Sequence, residues 1–142
     1  LAARRSVVRL DGERAVKRVE HWRGVAASAC EQCGRNRLPS VAEVLPLDRW
    51  LAALGSSQPG EARLMLAPGA AATLGALPAP GHVILLIGPE GGFDPLEQQA
   101  AQAAGFMGVR LGPRVLRTET AGLAALAAMQ VIWGDFGGEG NV

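Results

Sequence analysis

One local pattern occurs twice in the second half of the chain: an apolar run, a Gly-Pro loop, then an alanine- and leucine-rich stretch. The first copy is Leu85-Leu86-Ile87-Gly88-Pro89-Glu90-Gly91-Gly92-Phe93. The second is Leu111-Gly112-Pro113-Arg114-Val115-Leu116-Arg117-Thr118-Glu119-Thr120-Ala121. An apolar run that breaks at Gly-Pro and resumes with helix formers reads as strand, loop and helix. Repeating that unit requires parallel strands, because each helix carries the chain back to the edge where the next strand starts. The pattern predicts an α/β fold with a mainly parallel sheet and helices on both faces. It also predicts a small-ligand pocket, since loops at the carboxyl ends of parallel strands leave backbone N–H groups and helix N-termini free.

The remaining elements follow from the same signals. Residues 82–87 read as a central strand, wholly apolar from Val83 onward. Asp94-Pro95-Leu96-Glu97 supplies an N-cap aspartate, a proline at N1 and a glutamate at N3, which predicts a helix ending near Gly105. Residues 106–111 read as the next strand. Thr118 is the expected N-cap of a last helix running to about Trp133. Upstream, residues 6–10 read as a strand. Val16, Val19, Trp22, Val25, Ala26, Ala29, Cys30 and Cys33 then recur with a helical period, stopped by Gly34. Strands are expected at 41–45 and 63–67, and a short helix at 46–54 with Asp48 as its cap. Residues 69–81, rich in Ala, Gly and Pro, are expected to be an irregular connection. Residues 1–134 make one domain, and 135–142 a flexible tail.

At 142 residues the chain can bury a real core. It has no signal sequence, and its longest apolar run, residues 83–87, suits a strand rather than a membrane span. A soluble cytoplasmic protein is expected. The chain opens on Leu1 rather than Met, which suggests a piece of a longer protein. Net charge is only +1, but residues 1–37 hold nine Lys and Arg against four acids, and the remainder five against nine. That basic end is either a phosphate-facing surface or a solvated helix face. Cys30 and Cys33 form a C-x-x-C without the further ligands that structural zinc needs, and near the end of a helix rather than the start that a redox pair prefers. Burial in the helix is the expected role of both, and no metal is expected.

The loops match neither a phosphate-binding P-loop nor a Rossmann fingerprint: no lysine follows the glycines, and the G-x-G-x-x-G spacing is absent. No serine nucleophile motif is present. By their chemistry alone the loops suit a planar heterocycle with a short polar tail. Gly91 and Gly92 permit close backbone approach, so a side chain at 91 is expected to fill space the ligand needs.

Three segments carry a resemblance. They are Ala29-Cys30-Glu31-Gln32-Cys33-Gly34-Arg35-Asn36-Arg37-Leu38-Pro39, the loop at 87–93, and residues 111–121. In their order and spacing the chain resembles the SPOUT superfamily of RNA methyltransferases. Within it, the chain is similar to the bacterial family that methylates N3 of a uridine in 16S ribosomal RNA of the small subunit. The resemblance implies S-adenosylmethionine as methyl donor, a homodimer and a C-terminal trefoil knot. It also implies an N-terminal PUA-like RNA-binding domain, which these residues do not include. Gly122 departs from the alanine more usual in the family. Two alternatives stay open: methylation of another RNA, at a ribose 2′-oxygen or in tRNA, and nucleotide binding without methyl transfer.

By resemblance, the donor's adenine lies among the backbone of Ile87, Gly88, Pro89, Glu90, Gly91 and Gly92 on one side. Leu111, Gly112, Val115 and Leu116 form the other, with Arg117, Thr118, Thr120 and Ala121 beside them. Leu66 and Pro68 could add a wall. The weakly acidic N3–H of uracil needs a base or a cation for the developing oxyanion. Candidate catalytic residues are Arg35, Asn36, Arg117 and Glu119. Arg35, Arg37 and Arg114 are candidate RNA contacts, and the corner at 35–37 could reach a partner subunit's donor site.

Overall fold

The structure, a computed structural model, describes residues 1–6 and 12–136. Its strands β1 (Glu61–Leu66), β2 (Ala72–Thr73), β3 (His82–Leu86) and β4 (Met107–Arg110) form one sheet in the order β2-β4-β1-β3. Every pairing is parallel, with Arg63 of β1 opposite Ile84 and Met65 opposite Gly108. Helices are α1 (Gly12–Cys33), α2 (Leu47–Ala53), α3 (Pro95–Ala103) and α4 (Thr118–Ile132), with one turn of 3-10 helix at Leu74–Ala76.

Alternation along β1 and β3 divides the core in two, because successive side chains leave a strand on opposite faces. Met65, Ile84 and Leu86 pack with Leu47 and Leu51 of α2, Ala101 of α3, Phe93 and Phe106. Leu64, Val83 and Leu85 pack instead with Val109, Leu74 and Met129 of α4. The expected α/β architecture, with helices on both faces of a parallel sheet, is present, but β3, expected to be central, stands at the edge of the sheet among the described residues, pairing with β1.

Arg63 points to the α2–α3 side and is only 5% exposed. Its Nε donates to Glu61 Oε1 at 2.7 Å, and one terminal nitrogen donates to the carbonyls of Gly55 and Ala104 at 3.0 and 2.7 Å. Ala104 is the C-cap of α3, so the guanidinium answers a carbonyl that the helix end leaves free. The hydrogen bond from Arg63 Nε holds the Glu61 carboxyl below the ordinary glutamate range, against an opposing push from desolvation.

Several expectations need correction. Residues 41–45 form no strand; only Pro46 makes an isolated parallel bridge, to Ala2. Ala2 donates to Leu45 O at 2.8 Å and accepts from Leu47 N–H at 3.1 Å, and the chain turns at Arg4 and Arg5 before a ladder can extend. The 69–81 connection holds β2 and the 3-10 turn, in which Leu74 is buried. Asp48 does not cap α2. It lies inside the first turn and accepts from Arg49 N–H at 2.8 Å, while the capping position is Pro46. Thr118 is likewise the first helical residue, and Arg117 takes the N-cap conformation. Cys30 is buried but Cys33 is exposed. The strand expected at 6–10 lies, beyond Ser6, outside the described residues, as does the tail beyond Phe136.

Candidate functional site

Parallel pairing puts the exits of β1, β3 and β4 at one end of the sheet, and these exits line a single cleft of about 1270 Å³. From β1 come Leu66 and Pro68. The β3 exit supplies Ile87, Gly88, Pro89, Glu90, Gly91 and Gly92. From β4 and the start of α4 come Leu111, Gly112, Arg114, Val115, Leu116, Arg117, Thr118, Glu119 and Ala121. Small-molecule sites usually occupy roughly 300–1,000 Å³. The cleft therefore has room for a nucleoside-sized ligand and part of a second reactant.

The first loop is held tightly at its start. A Cβ at Gly88 would lie 3.2 Å from two ring carbons of Phe93, a buried residue, so no side chain fits there without moving the ring. Gly92 has φ +68° and closes the turn by donating to Pro89 O at 2.8 Å. The chain then enters α3 through a complete capping box. Leu96 N–H donates to Asp94 Oδ1 and Asp94 N–H to Glu97 Oε2, both at 2.9 Å.

Two further ties reach this loop from elsewhere. Thr118 Oγ1 donates to Gly88 O at 3.1 Å, joining the second loop to the first. On the outside, an Arg5 guanidinium nitrogen donates to Gly91 O at 3.1 Å, and Arg4 N–H to Glu97 Oε1 at 2.7 Å. Position 91 lines the cleft and also faces the N-terminal segment. A Cβ there would meet Arg5 Cβ at 3.2 Å, so a side chain presses on the N-terminal segment first.

Among the described residues, the N–H groups of Gly88, Glu90, Gly91, Gly112, Arg114, Val115 and Leu116 make no main-chain hydrogen bond outside the helices and strands. Such groups need a partner, whether water or a ligand rich in acceptors and donors. With Leu66, Ile87, Leu111 and Leu116 as apolar walls, the donor set fits a planar heterocycle held by backbone amides. Arg114, Arg117 and Glu119 are exposed members of the same lining and bring the charges to it.

Residues 1–130 match the RNA methyltransferase domain family. The chain belongs to that family. Similar curated proteins include the ribosomal RNA small subunit methyltransferase E of Buchnera aphidicola from Schizaphis graminum, 38% identical over 84% of this chain and 48% of that protein. The protein of the same name from Mycobacterium tuberculosis is 39% identical over 92% and 51%, respectively. The chain thus spans about half the length of the curated relatives it matches. Among solved structures, ribosomal RNA small subunit methyltransferase E of Neisseria gonorrhoeae, bound to S-adenosyl methionine, has TM-score 0.80 and 41% identity. That match covers 92% of this chain and 54% of the other. A Legionella pneumophila protein in complex with the same bound cofactor has TM-score 0.82 and 38% identity, covering 91% of this chain and 52% of that one.

Within this RNA methyltransferase domain, the expected site residues separate into two groups. The exits of β1, β3 and β4 gather Leu66 and the loop residues expected around a donor, with Arg114, Arg117, Thr118, Glu119 and Ala121. Thr120 lies on α4 outside the lining. Arg35, Asn36 and Arg37 are exposed on the corner after α1 and do not line the cleft of their own chain. The lining includes Pro68 as expected, and also Ala67, Gly69 to Ala72, Gln98 and Gln102, which the sequence does not single out. Pro68-Gly69 at a strand exit was a signal for the first of these. Gln98 and Gln102, four residues apart on one helix face, were a signal for the second.

Proposed function

We propose that this chain is the catalytic domain of an S-adenosylmethionine-dependent methyltransferase acting on N3 of a uridine in 16S ribosomal RNA. The observation that carries the reading is the cleft itself: two glycine loops at parallel strand ends, with apolar walls and main-chain amides that have no main-chain partner among the described residues, tied by the Thr118–Gly88 hydrogen bond. The S-adenosylmethionine-bound relatives at 38% and 41% identity support the choice of ligand. Ile87, Gly88, Gly112, Val115 and Leu116 would hold the adenosine, with backbone groups reading its edge. The bound donor supplies an electrophilic methyl group on a sulfonium. The protein's own residues orient the acceptor, exclude water and manage the N3 proton. Glu119 and Glu90 are the carboxylates in the lining, and Glu119 stands two residues from Arg117. In this reading Glu119 receives the proton, and Arg117 stabilises the charge that develops on the uracil oxygen.

The domain of residues 1–134 is proposed to act as a cytoplasmic homodimer with a C-terminal trefoil knot, alongside an N-terminal PUA-like RNA-binding domain. Exposed apolar side chains support the dimer: Val16, Trp22 and Val25 on α1, and Leu123, Leu126 and Val131 on α4. No helix among the described residues is long and apolar enough to cross a membrane. In the dimer, Arg35 and Asn36 reach the partner's cleft, while Arg37 and Arg114 contact RNA phosphate. Mass mapping of 16S rRNA from a deletion strain tests the reading. Loss of one 3-methyluridine, restored by the gene, is expected; an unchanged signal would overturn the assigned target.

A further inference from the structure

The Thr118 hydroxyl is spent inside the protein. A threonine at a helix start ordinarily caps the helix's own free amides. The N-terminus of α4 makes no side-chain cap, and Thr118 Oγ1 instead donates to Gly88 O, thirty residues away in sequence, at 3.1 Å. The loop packs closely on Phe93 at this point: a Cβ added at Gly88 would come 3.2 Å from two carbons of that buried ring. The other hydrogen bonds to the first loop among the described residues are of a different kind. The Gly92–Pro89 bond is internal to the loop, Gln98 Nε2 donates to Phe93 O from the following helix at 3.1 Å, and the Arg5–Gly91 bond lies exposed. Thr118 is half-buried, and among the described residues its bond is the side-chain bond that spans the two walls of the cleft.

We propose that Thr118 is a positioning residue of the donor site: by holding the Gly88 carbonyl, it fixes the first glycine loop against the start of α4. This rests on the donor-binding reading above. Walls that move independently must be ordered when a ligand binds, and that ordering is subtracted from affinity. A pre-formed tie removes the cost and keeps the backbone groups of both loops in register.

The test compares Thr118→Val, which keeps the branched shape without the hydroxyl, with Thr118→Ser, which keeps the hydroxyl. Each is titrated calorimetrically with S-adenosylmethionine. Amide hydrogen exchange of residues 88–93 is followed in the absence of ligand. Loss of one such hydrogen bond is expected to raise the valine variant's donor Kd about five- to tenfold, with serine within about twofold of the parent. Ligand-free exchange at 88–93 accelerates in the valine variant only. Unchanged exchange overturns the proposal even if affinity falls, since the hydroxyl would then be touching ligand directly. Parental affinity in the valine variant overturns it as well. A parent protein that binds no donor sinks the donor reading, and the exchange comparison alone then decides whether Thr118 sets the loop. Thr118→Ala takes the place of valine if that variant does not fold, alanine being the better helix former.

Discussion

Gly88 and Gly91 belong to the same loop, yet a methyl group would meet different surroundings at each. At 88 it would press on the buried Phe93 ring at 3.2 Å, and at 91 on Arg5 Cβ at the same distance. Gly88→Ala is therefore expected to displace the loop and weaken donor binding by at least about tenfold, roughly the 1.4 kcal/mol that such a distortion readily costs. Gly91→Ala strains the N-terminal segment and leaves donor Kd within about threefold, on the same arithmetic. Titration of both variants checks the contrast, and equal losses would contradict it. Gly122 is a third case. Its Cβ would come 3.1 Å from Ile87 Cδ1, the free end of a side chain that lines the cleft. Ile87 can yield, so Gly122→Ala is expected to stabilise α4 by up to about 1 kcal/mol, read as a higher Tm. Residue identity showed where glycines cluster. It did not show which faced a ring, a neighbouring segment or the pocket, because that depends on the direction of an absent Cβ.

Elements differ in how openly they are written. Asp94, Pro95 and Glu97 announced α3, and the capping box formed as expected. Glu97 does more than its local pattern requires: its second oxygen accepts from Arg4 N–H, so one buried carboxylate joins helix start and N-terminal segment. Glu97→Ala removes both bonds and is expected to cost about 2 kcal/mol by chemical denaturation, the upper end for a lost cap. The starts of α2 and α4 lie earlier than expected. Pro46 and Arg117 take the capping positions, so Asp48 and Thr118 fall inside the first turn and neither helix has a side-chain cap. The apolar period of α1 was legible, but not its use. Val19 and Cys30 are buried, while Val16, Trp22 and Val25 stay open to solvent in the single chain. Periodicity reports that a face is apolar and is silent about what covers it. The 41–45 segment failed for a related reason, since extended apolar residues make a strand only where a partner edge is available.

For the molecule as a whole, the parallel sheet, its two-sided core and the cleft at the strand ends were all readable from two repeated loops. Arg63 was not, because a lone arginine in an apolar strand gives no local sign of the carbonyls it will bind. The Arg63–Glu61 pair makes a pH prediction. The Glu61 carboxyl titrates below its unfolded value, chiefly through its hydrogen bond to Arg63. Its stabilisation is complete above the unfolded glutamate range and drains away as pH falls through the folded value. Glu61→Gln is thus expected to lower Tm at neutral pH, with the deficit shrinking toward acid; a deficit independent of pH would contradict the assignment. The proposed shared site makes another. Mixing inactive Arg35→Ala and Gly88→Ala full-length proteins is expected to restore about a quarter of wild-type activity, through heterodimers with one intact site. No recovery would place both residues in the same subunit's site. The central claim, that the two glycine loops form a methyl-donor site, is tested most directly by calorimetric titration of this chain with S-adenosylmethionine. One saturable site, weakened at least about tenfold in Gly88→Ala, is the expected result; no heat at millimolar donor, or binding indifferent to Gly88, would contradict it.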